Sequence, residues 1–208
     1  MALGDYLNVA RMIERTRAEG PGLRLCVWVQ GCARNCSGCC NRSMQPFEPR
    51  EVIATEDLIR RVERVWAGPE VPEGITLLGG EPFLQAAGLA RVAERVRELG
   101  GTVFAFSGYT LEELRSQDLP GAERLLAATD VLIDGPYVAQ RTDPRRNWVG
   151  STNQRFHYFT DAYDSSIETD PRYRRVVELR EENGCVYLNG CPHVGDNCQK
   201  GKSHVENR

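Results

Sequence analysis

From Leu23 onward the chain switches repeatedly between short apolar runs and longer runs whose apolar residues return every three or four positions. The first rhythm belongs to buried strands and the second to amphipathic helices. Leu23 to Gln30 reads as a strand that Gly31 ends. Leu58, Ile59, Val62, Val65 and Trp66 share a helical face, with Thr55 in the capping position and Gly68-Pro69 as the stop. Ile75 to Leu78 is a second strand, halted by Gly79-Gly80. Leu89, Val92, Ala93, Val96 and Leu99 make the next helical face, closed by Gly100-Gly101. Val103 to Phe106 is a third strand, and Thr110 with Glu113 has the spacing of a capping box. A short helix around Glu123 to Ala128 precedes a fourth strand, Val131 to Ile133. This alternation predicts an α/β fold with a mainly parallel sheet and right-handed crossovers.

The end of the chain has a different pattern. Val176 to Arg180 and Cys185 to Leu188 flank Asn183-Gly184, a strong turn signal, and predict a small C-terminal β-hairpin. The pattern fades from about His193, so residues 193–208 are expected to form a flexible tail. A chain of 208 residues can bury one substantial core but not two ordinary ones. A single domain over 1–192 is therefore expected, with its core at about 20–160 and the hairpin extension at about 174–191.

Composition contributes mainly by exclusion. Hydrophobic residues make up 41% and charged residues 26%, the balance of a soluble globular protein. A formal net charge of −3 offers no support for a nucleic-acid groove or an anionic membrane surface. The N-terminus runs into the charged stretch Arg11 to Glu19 without an apolar core of signal-peptide length. No apolar run approaches a membrane span. The expectation is a cytoplasmic protein with neither nucleic acid nor membrane as partner.

In such a compartment the 8 cysteines need an explanation other than a disulfide framework, and metal binding or catalysis is the better one. Cys32-Ala-Arg-Asn-Cys36-Ser-Gly-Cys39 has the spacing C-x3-C-x2-C. A compact loop of this kind can direct three thiolates at one centre. Four thiolates saturate a [4Fe–4S] cluster, one per iron, whereas three leave an iron open to chelate a substrate. A zinc site is the alternative, and its fourth ligand would come from Cys40, a histidine or the C-terminal cysteines. Packing alone is a poor account of three cysteines so closely spaced in a loop containing Gly and Asn. Cys26 reads as core and Cys40 as a spectator beside the site. Cys185, Cys191 and Cys198 invite a second cluster, against the expectation that free cysteines are small buried hydrophobes. His157, among Phe156, Tyr158 and Phe159, reads as core packing.

The remaining unusual residues all come directly after strands: Gly79-Gly80-Glu81-Pro82, Ser107-Gly108-Tyr109 and Asp134-Gly135-Pro136. In parallel α/β architectures, sites gather at the carboxyl ends of the strands, so these motifs should converge with the cysteine triplet. Together they resemble the radical S-adenosylmethionine superfamily. The longer string Trp28-Val-Gln-Gly-Cys32 to Cys36-Ser-Gly-Cys39-Cys-Asn41 resembles the activating proteins of anaerobic ribonucleotide reductase and other glycyl-radical-enzyme activases. Leu78 to Pro82, Phe106 to Thr110, Leu132 to Tyr137 and Trp148 to Arg155 follow in the order of that subgroup. Val149 and Cys40 depart from it, standing where relatives often carry arginine and tyrosine.

The resemblance implies a partial (β/α) barrel with an open side where a partner's loop enters. It implies that Cys32, Cys36 and Cys39 hold a [4Fe–4S] cluster whose fourth iron chelates S-adenosylmethionine. Gly79, Gly80, Glu81 and Pro82 correspond to the segment that binds the cosubstrate's amino group, although Glu81 would serve equally well as a structural carboxylate. Ser107 and Asp134 are expected to line the pocket, and Asn41 belongs to the same cosubstrate set. A flavodoxin- or ferredoxin-like donor would supply an electron, and reductive cleavage would give methionine and a 5′-deoxyadenosyl radical. The expected target is a backbone glycine of a glycyl radical enzyme. Direct modification of a small molecule or peptide, and electron transfer without S-adenosylmethionine, are the competing functions.

Overall fold

The computed structural model describes residues 4–174, 176–182 and 185–190. Strands β1 (Tyr6–Thr16), β2 (Arg24–Val29), β3 (Glu51–Ala54), β4 (Gly74–Gly79), β5 (Thr102–Phe106), β6 (Val131–Asp134) and β7 (Arg155–Tyr158) form one 7-stranded sheet. Its order is β3-β1-β2-β4-β5-β6-β7. The four central strands, β2, β4, β5 and β6, are parallel, while β1, β3 and β7 run antiparallel to their neighbours. The result is a mixed α/β sheet with a parallel centre.

The three antiparallel strands are the ones the hydrophobic pattern does not announce. In β1 the register shifts between Val9 and Arg11 and again between Ile13 and Thr16, so its alternation is broken. In β3, Glu51 and Val52 are exposed and only four residues pair. In β7 the aromatic run around His157 obscures an alternating strand.

The central strands are buried on both faces, which is why they read as unbroken apolar runs. Leu25, Val27, Ile75, Leu77, Val103, Ala105 and Leu132 join a core cluster with the helices. These helices are α1 (Thr55–Trp66), α2 (Ala86–Glu98), α3 (Leu111–Ser116) and α4 (Ala122–Ala128). On the other face, Cys26, Trp28 and Leu78 cluster together. Phe104, Val131 and Ile133 are covered there by Trp148, Val149, Tyr163, Ile167 and Tyr173.

The capping box of α3 is present in both halves: Glu113 N donates to Thr110 Oγ1 at 3.1 Å, and Thr110 N to Glu113 Oε2 at 2.7 Å. Thr55 does not cap α1. It is the first helical residue, and its hydroxyl donates to Gly4 O at 2.6 Å, tying the N-terminal segment to the helix.

A hairpin of β8 (Glu178–Glu182) and β9 (Cys185–Asn189) forms a separate 2-stranded sheet. The turn pair Asn183-Gly184, Cys191, Cys198 and the proposed tail lie outside the described residues, as does the side chain of Cys185. The hairpin docks on the end of β1. Glu178 accepts from Thr16 Oγ1 at 2.6 Å and Arg17 N at 2.7 Å, and Asn189 Nδ2 donates to Thr16 Oγ1 at 2.7 Å.

Arg24 closes the amino ends of the parallel strands, opposite the cysteine loop. It is 0% exposed and spends its guanidinium on neutral oxygens. Nη2 donates to Ile75 O at 2.5 Å and Thr102 O at 3.1 Å, Nη1 to Thr102 Oγ1 at 2.7 Å and Tyr163 OH at 3.2 Å, and Nε to Thr76 Oγ1 at 3.2 Å. Replacing Arg24 with Met leaves these buried acceptors without donors. A loss on the order of 3 kcal/mol is expected from urea unfolding midpoints, and a loss below about 1 kcal/mol would mean that water replaces the guanidinium.

Candidate functional site

Because β2, β4, β5 and β6 are parallel, the loops that leave their carboxyl ends all open on the same edge of the sheet. That edge carries the cysteine triplet, Gly79 to Pro82, Ser107 to Tyr109, and Asp134 to Pro136.

In the cysteine loop, each of the three cysteines follows a residue with left-handed backbone: Gly31 at φ 100°, Asn35 at φ 47° and Gly38 at φ 78°. Glycine adopts this conformation freely and asparagine tolerates it better than other side chains, which accounts for the Gly-Cys, Asn-Cys and Gly-Cys pairs. The loop is closed at its base, where Gly31 N donates to Met44 O at 2.8 Å and Cys32 N to Gln45 O at 2.9 Å. Cys32, Cys36 and Cys39 are partly buried, Cys40 is exposed, and Cys26 is sealed within β2. Burial pushes the Cys32 thiol up, opposed by the N–H groups of Arg34 and Asn35. Cys39 is also raised, first by its thiol contact with Cys40 and then by burial, with the Asn41 N–H and the Gln45 amide opposing.

Two glycines give this loop its seat. Gly80 and Gly108 each stand two positions beyond an apolar strand residue, namely Leu78 and Phe106. A Cβ on Gly80 would lie 2.3 Å from Gly31 O and 2.8 Å from Met44 O. On Gly108 it would lie 2.9 Å from Arg34 Cγ. Gly79, at φ 112°, would place a Cβ 2.5 Å from Val29 N. Backbone bonds follow this close approach: Gly80 N donates to Val29 O at 2.8 Å, and Glu81 N to Gly31 O at 2.9 Å. Asn41 Nδ2 donates to Gly79 O at 3.3 Å, joining the far end of the cysteine loop to the same strand end.

The polar side chains singled out in the sequence brace this edge. Glu81 is 0% exposed. Its carboxylate accepts from Phe83 N at 3.1 Å, Ser107 Oγ at 3.0 Å and Gly108 N at 2.8 Å. Ser107 Oγ in turn accepts from Tyr109 N at 3.0 Å. Pro82 begins the short 3₁₀ turn for which Glu81 is the cap.

Asp134 shares the strand parity of Leu132 and is turned to the helix side. There it accepts from Leu111 N at 2.5 Å and from Arg155 Nη2 at 2.7 Å and Nε at 3.1 Å. His157 Nε2 lies 3.0 Å from Asp134 Oδ2 without hydrogen-bond geometry, and its ring stacks on Phe159. Glu81, Ser107 and Asp134 thus brace neighbouring loops, the structural role that the sequence leaves open for Glu81.

Two residues at this edge were not singled out from sequence. Arg34 reaches from the cysteine loop across Gly108, with its Cζ 4.9 Å from the centre of the Tyr109 ring. Tyr137 packs between Gly38 and Gly150, where added Cβ atoms would lie 3.2 Å and 2.8 Å from its ring. The signal for both is a glycine facing them, which no sequence pattern records.

The donor set suits an iron–sulfur cube. Among the described residues, no group of three or more His, Cys, Asp or Glu side chains converges on a single ion. A cube takes one thiolate per iron, so its ligands need not meet at one point.

Comparison with known proteins bears on the same segment. The family model for the 4Fe-4S single cluster domain matches residues 18–157. The anaerobic ribonucleoside-triphosphate reductase-activating protein of Vibrio cholerae is 31% identical over 157 residues, covering 68% of this chain and 92% of that protein. The protein of the same name from Escherichia coli K12 is 31% identical over 156 residues, covering 67% and 91%. That from Pasteurella multocida is 32% identical over 166 residues, covering 74% and 99%. A crystal structure of QueE from Escherichia coli overlaps 60% of this chain and 68% of its own at 14% identity, with a TM-score of 0.42, a likeness too loose to bear on function.

Burial pushes the Glu81 carboxyl up from 4.5 to about 7, against the three donors that lower it. A folded-state pKa above the unfolded one means that this contribution to stability is fully present below the unfolded pKa and is lost as pH rises through the folded one. Wild type is therefore expected to lose stability relative to Glu81→Gln between about pH 5 and about pH 7.5, read as the difference of their urea midpoints. A constant difference across that window would place the carboxyl near its ordinary value. Separately, Gly80→Ala should displace the cysteine loop and cost on the order of 2 kcal/mol or more, read by the same method.

Proposed function

This chain belongs to the 4Fe–4S single cluster domain family and, at about a third identity over nearly the whole of its relatives, to the reductase-activating proteins. From that premise we propose that it is a radical S-adenosylmethionine enzyme that generates a glycyl radical on a partner, an anaerobic ribonucleotide reductase. The observation that carries the proposal is the cysteine loop itself. Three partly buried thiols, each following a left-handed residue, sit on a loop whose base at Gly31 and Met44 packs against Gly79 to Glu81.

Cys32, Cys36 and Cys39 would hold three irons of a [4Fe–4S] cluster and leave the fourth for the cosubstrate. When bound and reduced by one electron from a flavodoxin- or ferredoxin-like donor, the cluster supplies the reductive cleavage of S-adenosylmethionine to methionine and a 5′-deoxyadenosyl radical. The chain's own contribution is placement. Gly79, Gly80 and Glu81 present backbone close to the cysteine loop, and Pro82 starts the turn that follows. Glu81 and Ser107 hold the neighbouring turns at fixed distance, and Asp134 with Arg155 anchors the start of α3. Asn41 ties the loop's end to Gly79. With their polar atoms committed to one another, these side chains give a rigid rim whose ligand contacts come chiefly from main chain.

We propose further that the fold is a partial (β/α) barrel with an open side where a partner's loop enters, within a single domain over 1–192; the parallel centre of the sheet supports this reading. No described helix is long and apolar enough to cross a membrane, and we place the protein in the cytoplasm with no nucleic-acid partner.

The test is anaerobic. Reconstituted and reduced protein is mixed with S-adenosylmethionine, and 5′-deoxyadenosine is quantified with and without the reductase. Cleavage and a partner-dependent glycyl radical signal are expected. Turnover on a small molecule without the partner would replace the activase reading, and a reducible cluster without cleavage would leave an electron carrier. Cys36→Ala should reduce 5′-deoxyadenosine to the level of cluster-free protein; a variant that still made it would sink the ligand assignment.

A further inference from the structure

Between Cys32 and Cys39 the loop carries one cation, and the structure gives it more contacts than a surface arginine needs. Arg34 lies between Cys32 and Cys36. Its aliphatic stem crosses Gly108, where a Cβ would lie 2.9 Å from Arg34 Cγ. Its guanidinium stacks over Tyr109 at 4.9 Å, and Nη1 meets Glu113 Oε1 at 3.3 Å. Tyr109 lies in the loop after β5, which Glu81 also holds through Ser107 and Gly108, and Glu113 lies in the first turn of α3, the helix that this loop enters. Arg34 therefore clamps the first half of the cysteine loop against the neighbouring turn, its own backbone N–H bonds the Cys32 sulfur, and the side-chain contacts hold its positive charge in one orientation in the segment between Cys32 and Cys36. A freely rotating surface arginine would be screened and contribute little. One that is stacked and partly buried keeps its field in place.

We infer that Arg34 is a positioning residue that sets the reduction equilibrium of the cluster: its fixed charge favours the one-electron-reduced state, and Glu113 tempers that charge. Reduction adds one electron and therefore one negative charge to the cluster–thiolate unit, which a nearby cation stabilises and a nearby carboxylate opposes. The inference rests on the cluster assignment proposed above. It does not depend on what the radical attacks.

The test is a reductive titration of the anaerobically reconstituted full chain with dithionite and redox mediators, followed by the paramagnetic signal of the reduced cluster. Arg34→Met should shift the equilibrium toward the oxidised cluster by roughly threefold to tenfold. Glu113→Gln keeps an amide able to fill the capping box and removes the charge, so it should shift the equilibrium the other way. Arg34→Lys, which keeps charge but loses the planar stack, should fall between wild type and Arg34→Met.

A purely structural Arg34 predicts something else: less cluster retained in Arg34→Met, with the equilibrium of the retained fraction unchanged. That result, or Arg34→Met and Glu113→Gln shifting in the same direction, overturns the inference. If Arg34→Met retains too little cluster to titrate, Glu113→Gln decides: a shift toward the reduced state supports the inference and no shift overturns it. A cluster that titrates as expected in a protein that does not cleave S-adenosylmethionine would refute the proposed activity and leave the role of Arg34 standing.

Discussion

The site depends on backbone approaching backbone between the end of β4 and the start of the cysteine loop. Gly80 N reaches Val29 O and Glu81 N reaches Gly31 O, and neither Gly79 nor Gly80 has room for a Cβ. At this distance the two loops behave as one body. The strand that carries the thiols and the strand that carries the Gly79 to Pro82 segment cannot move independently. A triplet of cysteines on an unsupported loop would need the cluster to order it. Here the ordering is built into the sheet, and the conformational entropy of the loop is spent during folding.

Buried charge does the rest. Glu81 gathers three donors from two different loops, and Asp134 joins the start of α3 to β7 through Arg155. Each of these carboxyl groups is fully buried and committed to internal partners, and at Glu81 burial outweighs the three donors and pushes the carboxyl up. Arg34 continues the same network from the other side, stacking on Tyr109 and pairing with Glu113. The edge is rigid because loops that lack regular structure are cross-braced by buried side chains whose partners are all internal.

Much of this was readable in the linear chain. The central strands declared themselves as apolar runs because both of their faces are covered. α1 and α2 showed the spacing of one buried face, and Thr110 with Glu113 gave the capping box in full. The hairpin strands followed from the pattern around Asn183-Gly184, with the first strand, Glu178–Glu182, beginning and ending two residues later than expected. β1 was hidden by its register shifts, β3 by its exposure and brevity, and β7 by the aromatic residues around His157. In each case the missing signal is pairing with a neighbour, a long-range contact that a local window does not hold.

The proposed cluster chemistry is legible in the sequence alone, because a C-x3-C-x2-C spacing with Gly31, Asn35 and Gly38 before the cysteines is a local property of one loop. What the polar residues do is decided only by the tertiary structure. Ser107 and Asp134 look like ligand contacts when read as strand ends, yet the fold turns them toward Glu81 and Arg155. Gly80 and Gly108 look like turn residues, yet the fold lays the cysteine loop across them. A residue's type and spacing restrict what it can bond. Which partner it finds depends on the strand beside it, and that neighbour is chosen by the packing of the whole sheet.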